Sequence, residues 1–250
     1  MKKLLTWIDR QLALGLNRPV SRRIDGITAR FHVNSKDEYK VVVGGLSERD
    51  LRSAVTQAIR PDDVIVEIGA HIGSWSVYLA QHVPRGELHV FEPVPTNYSK
   101  LAANIALNKL ANVTTYATAL GESPGEASFF VPDTDAPVVG SLHDHAMSRN
   151  KITVEVDSLD HAAEAMDRAP TFLKIDCEGA EAMVLRGAER VLSESVRGIF
   201  IEVHRPLLEK QGEDADAMID ALVRQGFEIK QHWGDGSVGR HLLMIKPDQG

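Results

Sequence analysis

The chain has 250 residues, with 28 Lys plus Arg against 35 Asp plus Glu, a formal charge of −7 and a single cysteine, Cys177. That length suits one α/β domain with a full core. The acidic balance, with no basic block, argues against nucleic acid as a partner; one cysteine excludes an intramolecular disulfide and fits a reducing, cytoplasmic setting.

The opening stretch MKKLLTWIDRQLALGLN has a basic tip, but Asp9 and Arg10 interrupt the apolar run before a signal-peptide core can form. No stretch reaches membrane length, so stable membrane insertion is not expected. Leu4, Ile8 and Leu12 share one face of an amphipathic helix that packs on its own domain or on a second subunit. Residues 27–33 and 39–43 read as two short strands, completing a small N-terminal lobe over 1–45. Ser47 with Asp50 signals the start of a helix reaching about Ile59, which Pro61 stops.

From residue 63 the chain reads DVIVEIGAHIGSWSVYLAQ. Val64, Ile65, Val66 and Ile68 form an apolar run without alternation, the pattern of a parallel strand covered on both faces. Gly69 and Gly73 let the backbone turn sharply toward a ligand, and the following helix offers unpaired N–H groups at its start. About twenty residues later a second short strand ends in ELHVFEP. Its Glu92 stands where doubly wound sheets hold ribose hydroxyls, whose two adjacent donors a carboxylate accepts together. The dinucleotide fingerprint GxGxxG is met only at Gly69, since His71 and Ser74 occupy its other glycine positions. A nucleoside without a pyrophosphate therefore fits better than NAD.

Beyond this point strand and helix alternate, at 64–68, 75–82, 88–91, 96–108 and 113–117, which predicts a parallel sheet with helices on both faces. The alternation breaks after Gly121. Strands at 127–131 and 152–156 flank a long polar loop carrying His143 and His145, read as a substrate-side flap at about 122–156. A strand at 172–177, a helix at 180–192 and a strand at 198–203 resume the pattern. A helix at 214–225 and an antiparallel pair at 227–231 and 242–246 close the domain, 46–250. The expected fold is α/β, a doubly wound, mostly parallel sheet with an antiparallel C-terminal hairpin.

Three ordered blocks, VEIGAHIGSWSVYLA, FEPVPTNYSKLAANIALN and FLKIDCEGAEAMVLRGAE, with SLD between the last two and IEVH after them, resemble the FkbM-like family of S-adenosylmethionine-dependent methyltransferases. The similarity covers roughly 46–205. The resemblance implies a Rossmann-like class I methyltransferase fold and S-adenosylmethionine as cofactor. It also implies O-methylation of a hydroxyl on a sugar or secondary metabolite, although the residues themselves do not exclude nitrogen. It assigns Glu67, Gly69, Ala70, His71 and Gly73 to the methionine part, Glu92 with Pro93 to the ribose, and Ala119 with Leu120 to the adenine. Asp176 meets either the cofactor ammonium or the acceptor hydroxyl. The family usually has Asn where this chain has His71. Two rivals stand beside this reading: a catalytically silent S-adenosylmethionine-binding partner subunit and an NAD-dependent oxidoreductase.

Lys174 lies inside an apolar strand, where an unpaired ammonium is costly, so it needs carboxylate partners. In the family's sheet order its strand lies between those of Glu67 and Glu202. The pattern makes it a member of an ion-pair network, compatible with a catalytic role. His204, after a central strand, is the first choice for the base because an imidazole titrates near neutral pH; Asp176 or Glu202 would orient it. His143 and His145 are the alternatives. Asp176, Glu178, Glu202 and His204 match no dedicated metal motif, and no metal is expected.

Overall fold

The computed structural model describes residues 19–24, 26–36, 38–39, 42, 48–132, 148–234 and 239–247. The amphipathic N-terminal helix and the loop histidines His143 and His145 lie outside the described residues.

The chain begins with a hairpin, β1 (Val20–Ile24) against β2 (Ile27–Phe31). The strand expected at 39–43 is corrected, because Glu38, Tyr39 and Val42 are helical. The cause is a capping box: Ser35 Oγ accepts the Glu38 N–H at 3.1 Å, and the Glu38 carboxylate accepts the Asn34 N–H at 2.7 Å. The true partner of β2 is the VSRRI segment before it. Helix α1 (Arg49–Ala58) follows, with Glu48 at its N-cap position and no side-chain cap; Ser47 lies outside the described residues.

The central sheet then builds from β3 (Val64–Ile68), β4 (Glu87–Phe91), β5 (Val113–Tyr116), β9 (Phe172–Ile175), β10 (Gly198–Val203), β11 (Glu228–Trp233) and β12 (Arg240–Ile245). Its order is β11-β12-β10-β9-β3-β4-β5; the β10 to β5 part is parallel, and β12 runs antiparallel to both β10 and β11. Helices α2 (Ser74–Ala80) and α3 (Pro95–Asn108) connect the first three strands. A second sheet of order β6-β8-β7 consists of β6 (Ala119–Gly121), β7 (Gly125–Pro132) and β8 (Ser148–Ser158). After it come α4 (Leu159–Ala162), α5 (Glu181–Arg186), α6 (Glu189–Glu194), α7 (Arg205–Lys210) and α8 (Ala215–Arg224).

Period-two alternation divides the strand residues between two cores. Ile65, Leu88, Val90, Phe172, Phe200 and Leu243 pack with α1 to α3, whereas Val66, Ile68, Leu173, Ile175, Ile201 and Leu242 pack with α5, α6 and α8. Each such burial contributes about 1.5–3 kcal/mol, which is why β3 tolerates no polar residue except one with a counter-charge. The hairpin joins the first core through Val20, Ala29 and Phe31, and Asn104 Oδ1 and Asn108 Oδ1 of α3 accept the backbone N–H groups of His32 and Arg30.

The single helix expected at 180–192 is two. Gly187 lies against the chain at Gly121, where a Cβ would sit 2.0 Å from the carbonyl oxygen. The Asp160 carboxylate accepts the N–H groups of Arg190 and Val191, both at 2.9 Å, and so starts α6 afresh. Among the described residues no helix is long and apolar enough to cross a membrane.

Candidate active site

A cavity of about 480 Å³ opens at the carboxyl ends of β3, β4, β9 and β10, where ligands of open α/β sheets bind. Its first wall is the turn after β3. Gly69 has φ +79° and packs so closely on β9 that a Cβ would lie 1.8 Å from the Asp176 carbonyl oxygen. Gly73, at φ +82°, is less crowded, with only the Leu101 Cδ1 end 2.7 Å from a built Cβ, and its left-handed backbone is what favours glycine there. His71 has φ +56°. Asn and His are among the side chains that best tolerate this left-handed backbone, which accounts for His where the family usually has Asn. Burial lowers the His71 pKa to about 4, so the imidazole lining the cavity is neutral near pH 7.

Glu92 directly follows β4 and is held by three hydrogen bonds. Its Oε2 accepts the His71 N–H at 2.8 Å, and its Oε1 accepts the Val94 N–H at 3.0 Å and the Asn97 Nδ2–H at 3.3 Å. Three of a carboxylate's roughly four lone-pair directions are taken, which leaves acceptor capacity for a ribose hydroxyl. Burial raises its pKa to about 7 against these hydrogen bonds. Ala70, Pro93, Phe91, Thr118, Ala119 and Leu120 complete an apolar slot beside it. A rigid acid, a closed glycine turn and a slot of small and apolar side chains fit a nucleoside carrying an amino-acid tail.

Glu67 and Gly73 are corrected as direct contacts: neither lines the cavity. Glu67 is fully buried and stands opposite Lys174 in the β3–β9 register, with Oε1 3.8 Å from Lys174 Nζ. Lys174 Nζ also donates to Asp176 Oδ2 at 3.2 Å. Burial would lower the Lys174 pKa, but Asp176 and Glu67 outweigh it and hold it above the usual lysine range. Burial would likewise raise Asp176, and Lys174 with His204 outweighs it, keeping the carboxylate ionised. Glu67 itself is raised by burial.

Asp176 and Glu178, after β9, line the cavity two strands across from Glu92, and Glu202 of β10 lines it three strands across, about 10 and 14 Å at the usual strand spacing. His241 joins them, with Nε2 3.1 Å from Glu202 Oε2. His204 does not line the cavity, which corrects its expected opening toward the cleft. Its Nδ1 is 2.7 Å from Glu181 Oε1, and its Nε2 is 3.6 Å from both Glu178 and Glu202. Burial would lower the His204 pKa, but the hydrogen bond to Glu181 and the surrounding carboxylates raise it to about 9, so the imidazole is charged near pH 7. Ligand-type atoms of Asp176, Glu202 and His204 lie within 4.8 Å of one another.

The structure adds residues that the sequence reading did not assign. His241 arrives on the antiparallel β12 in register with Glu202, a pairing that only the sheet defines. Trp75, tilted 38° against Phe200 with ring centroids 5.3 Å apart, donates its Nε1–H to Glu48 Oε2 at 3.2 Å, and all three line the cavity. Asn97 was legible in principle, two residues after a proline that opens a helix just beyond Glu92.

These features define a Rossmann-like methyltransferase that uses S-adenosylmethionine. The model of the methyltransferase FkbM domain matches residues 67–229, and the chain belongs to that family. It is 25% identical over 203 residues to the hexuronic acid methyltransferase AglP of Haloferax volcanii, covering 81% of each chain. It is 26% identical over 176 residues to the 31-O-demethyl-FK506 methyltransferase FkbM of Streptomyces tacrolimicus, covering 58% of this chain and 67% of that one. Among solved structures, methyltransferase FkbM from Methylobacillus flagellatus KT superposes with a TM-score of 0.53 at 19% identity, over 75% of this chain and 45% of that chain, a likeness of fold in which this chain spans less than half of the other. The oxidoreductase and silent-subunit readings are not favoured.

Proposed function

We propose that the enzyme methylates a hydroxyl of a sugar or secondary metabolite. The observation that carries this reading is the division of one cavity: a nucleoside slot around Glu92, and two to four strands away a wall of proton acceptors formed by Asp176, Glu178, Glu202 and His241. The relatives' names, one specifying a hexuronic acid and one an oxygen of a secondary metabolite, support hydroxyl acceptors. When bound, S-adenosylmethionine supplies an electrophilic methyl group on a sulfonium.

The chain's own residues then have three tasks. Glu92, with Ala70, His71, Pro93, Ala119 and Leu120 around it, holds the nucleoside. Asp176 offers a fixed negative charge to an ammonium or a hydroxyl, and Lys174 with Glu67 beneath it keeps that charge in place. Glu202, paired with His241, hydrogen-bonds the acceptor, and Trp75 and Phe200 exclude water beside it. The free Cys177, a half-buried thiol whose pKa desolvation raises well above the usual cysteine range, fits a reducing, cytoplasmic setting.

Calorimetry with S-adenosylmethionine, S-adenosylhomocysteine and NAD, followed by transfer of a radiolabelled methyl group to a panel of glycosides, polyketide alcohols and amines, tests the proposal. The first two ligands bind and NAD does not; label then appears on an oxygen. Label found only on amines would overturn the oxygen acceptor.

A further inference from the structure

Of the acceptor-side residues, Glu178 is the one whose backbone is most constrained. It has φ +51°, a left-handed conformation uncommon for a residue with a side chain, and Gly179 after it has φ +97°. A Cβ on Gly179 would come within 2.7 Å of Leu207 Cβ, so this position, already left-handed, takes only glycine. Outlying backbone of this kind persists only where the surroundings over-determine it, and it clusters at active sites. Here it accompanies a carboxylate that lines the cavity.

What holds the loop is Glu181, fully buried, whose Oε1 accepts the Gly179 N–H at 3.0 Å and meets His204 Nδ1 at 2.7 Å. One carboxylate therefore fixes both the loop that carries Glu178 and the imidazole whose Nε2 stands 3.6 Å from Glu178 Oε2. His204 is buried behind Glu178 and has no face on the cavity. Its ring position is set from the side away from the acceptor, as for an orienting partner.

Building on the methyltransferase reading of this cavity, we propose that Glu178 takes the proton of the acceptor hydroxyl, with His204, fixed by Glu181, as its positioning residue. As the acceptor oxygen's lone pair forms the new C–O bond, the C–S bonding pair returns to sulfur as a neutral thioether. The hydroxyl proton passes to the Glu178 carboxylate, and no further reactant is required.

The electrostatic setting agrees. Burial raises the Glu178 pKa to about 7, opposed by His204 and reinforced by Asp176, Glu202 and Glu181. Those are the groups facing it from β9, β10 and α5, with Lys174 beside Asp176 and His241 of β12 paired to Glu202. A base poised near the working pH is the efficient one. It must also lose its proton once the cofactor is in place, and a cationic sulfonium in the same cavity drives that loss, whereas the neutral sulfur of S-adenosylhomocysteine does not.

This difference can be measured without knowing the acceptor. Calorimetric titration at pH 7, in buffers of different ionisation enthalpy, counts protons released on binding each ligand. S-adenosylmethionine should release more than S-adenosylhomocysteine, by up to about half a proton per site. Glu92 also titrates near pH 7, but it meets the same ribose in both ligands and cancels in the difference. The difference should vanish in Glu178→Gln. In His204→Gln, where a positive charge beside Glu178 is lost, the pH at which the difference is largest should move upward by roughly one unit, a shift that a purely structural histidine would not cause. Equal proton counts for the two ligands in the unmodified enzyme would overturn the proposal even if neither variant folds, as would a difference that survives Glu178→Gln. Binding of neither ligand would overturn the cofactor reading itself, and the proposal with it.

Discussion

The two ends of the cavity are made of different material. At the nucleoside end the main chain does most of the shaping: Gly69 and Gly73 close the turn, and two of the three hydrogen bonds that hold Glu92 come from backbone N–H groups of neighbouring residues. The acceptor end is made of side chains from β9, β10, β12 and the start of α5, in which Lys174, Asp176, Glu178, Glu181, Glu202, His204 and His241 lean on one another's charge. The first arrangement is local and tolerates change in the rest of the molecule. The second is collective, so removing one member leaves the others uncompensated.

The largest effect should come from breaking the collective end at its base. Lys174, 3% exposed, faces a fully buried Glu67, and Lys174→Met should destabilise the fold by on the order of 3–5 kcal/mol in urea unfolding. An unchanged midpoint would show that the two ends do not differ as described.

Next in size is a pH effect carried mainly by the acceptor end, to which Glu92, also raised to about 7, adds below pH 7. The His204 pKa is about 9 in the folded chain against 6.5 as its ordinary value. Its stabilisation is therefore fully present below about pH 6.5 and is lost as the pH rises through about 9, a change on the order of 3 kcal/mol. Glu178, raised to about 7, acts in the same direction between roughly pH 4.5 and 7, because the folded chain holds its proton more tightly. Urea unfolding from pH 6 to 9 should show the fall, and His204→Gln should flatten it. Stability rising over that interval would contradict the charged imidazole.

Damage at the nucleoside end should appear in binding. Glu92→Ala should weaken S-adenosylhomocysteine by about 1–3 kcal/mol in calorimetry, through lost charged hydrogen bonds. The smallest change sharpens the contrast: His241→Ala should leave that affinity within about 0.5 kcal/mol, since the imidazole pairs with Glu202 on the other side. A loss as large as that of Glu92→Ala would mean that the ends are not separable.

Misreadings of the elements have equally local causes. The capping box SKDE at 35–38 was present in the chain, yet the β-branched run after it suggested a strand; the hydrogen bonds of Ser35 and Glu38 prevailed. The break between α5 and α6 depends on Asp160, which arrives from α4 and has no signature in the helix it caps. His204 was judged by its place at a strand end, and the following helix α7 (Arg205–Lys210), not foreseen, accompanies its burial against Glu181.

The sequence by itself determined the parallel sheet, the glycine turn, the acid after β4 and the family, because each rests on residues within one continuous segment whose backbone preference or strand-end position is set locally. It also required partners for Lys174, since an ammonium in an apolar strand has no other stable state. Only the tertiary structure decided which partners. The register of β9 against β3 puts Glu67 opposite Lys174, and the antiparallel return of β12 brings His241 to Glu202 across 39 positions of chain. Cross-strand register depends on how whole elements pack, so the groups proposed to handle the proton become neighbours only when the sheet is assembled.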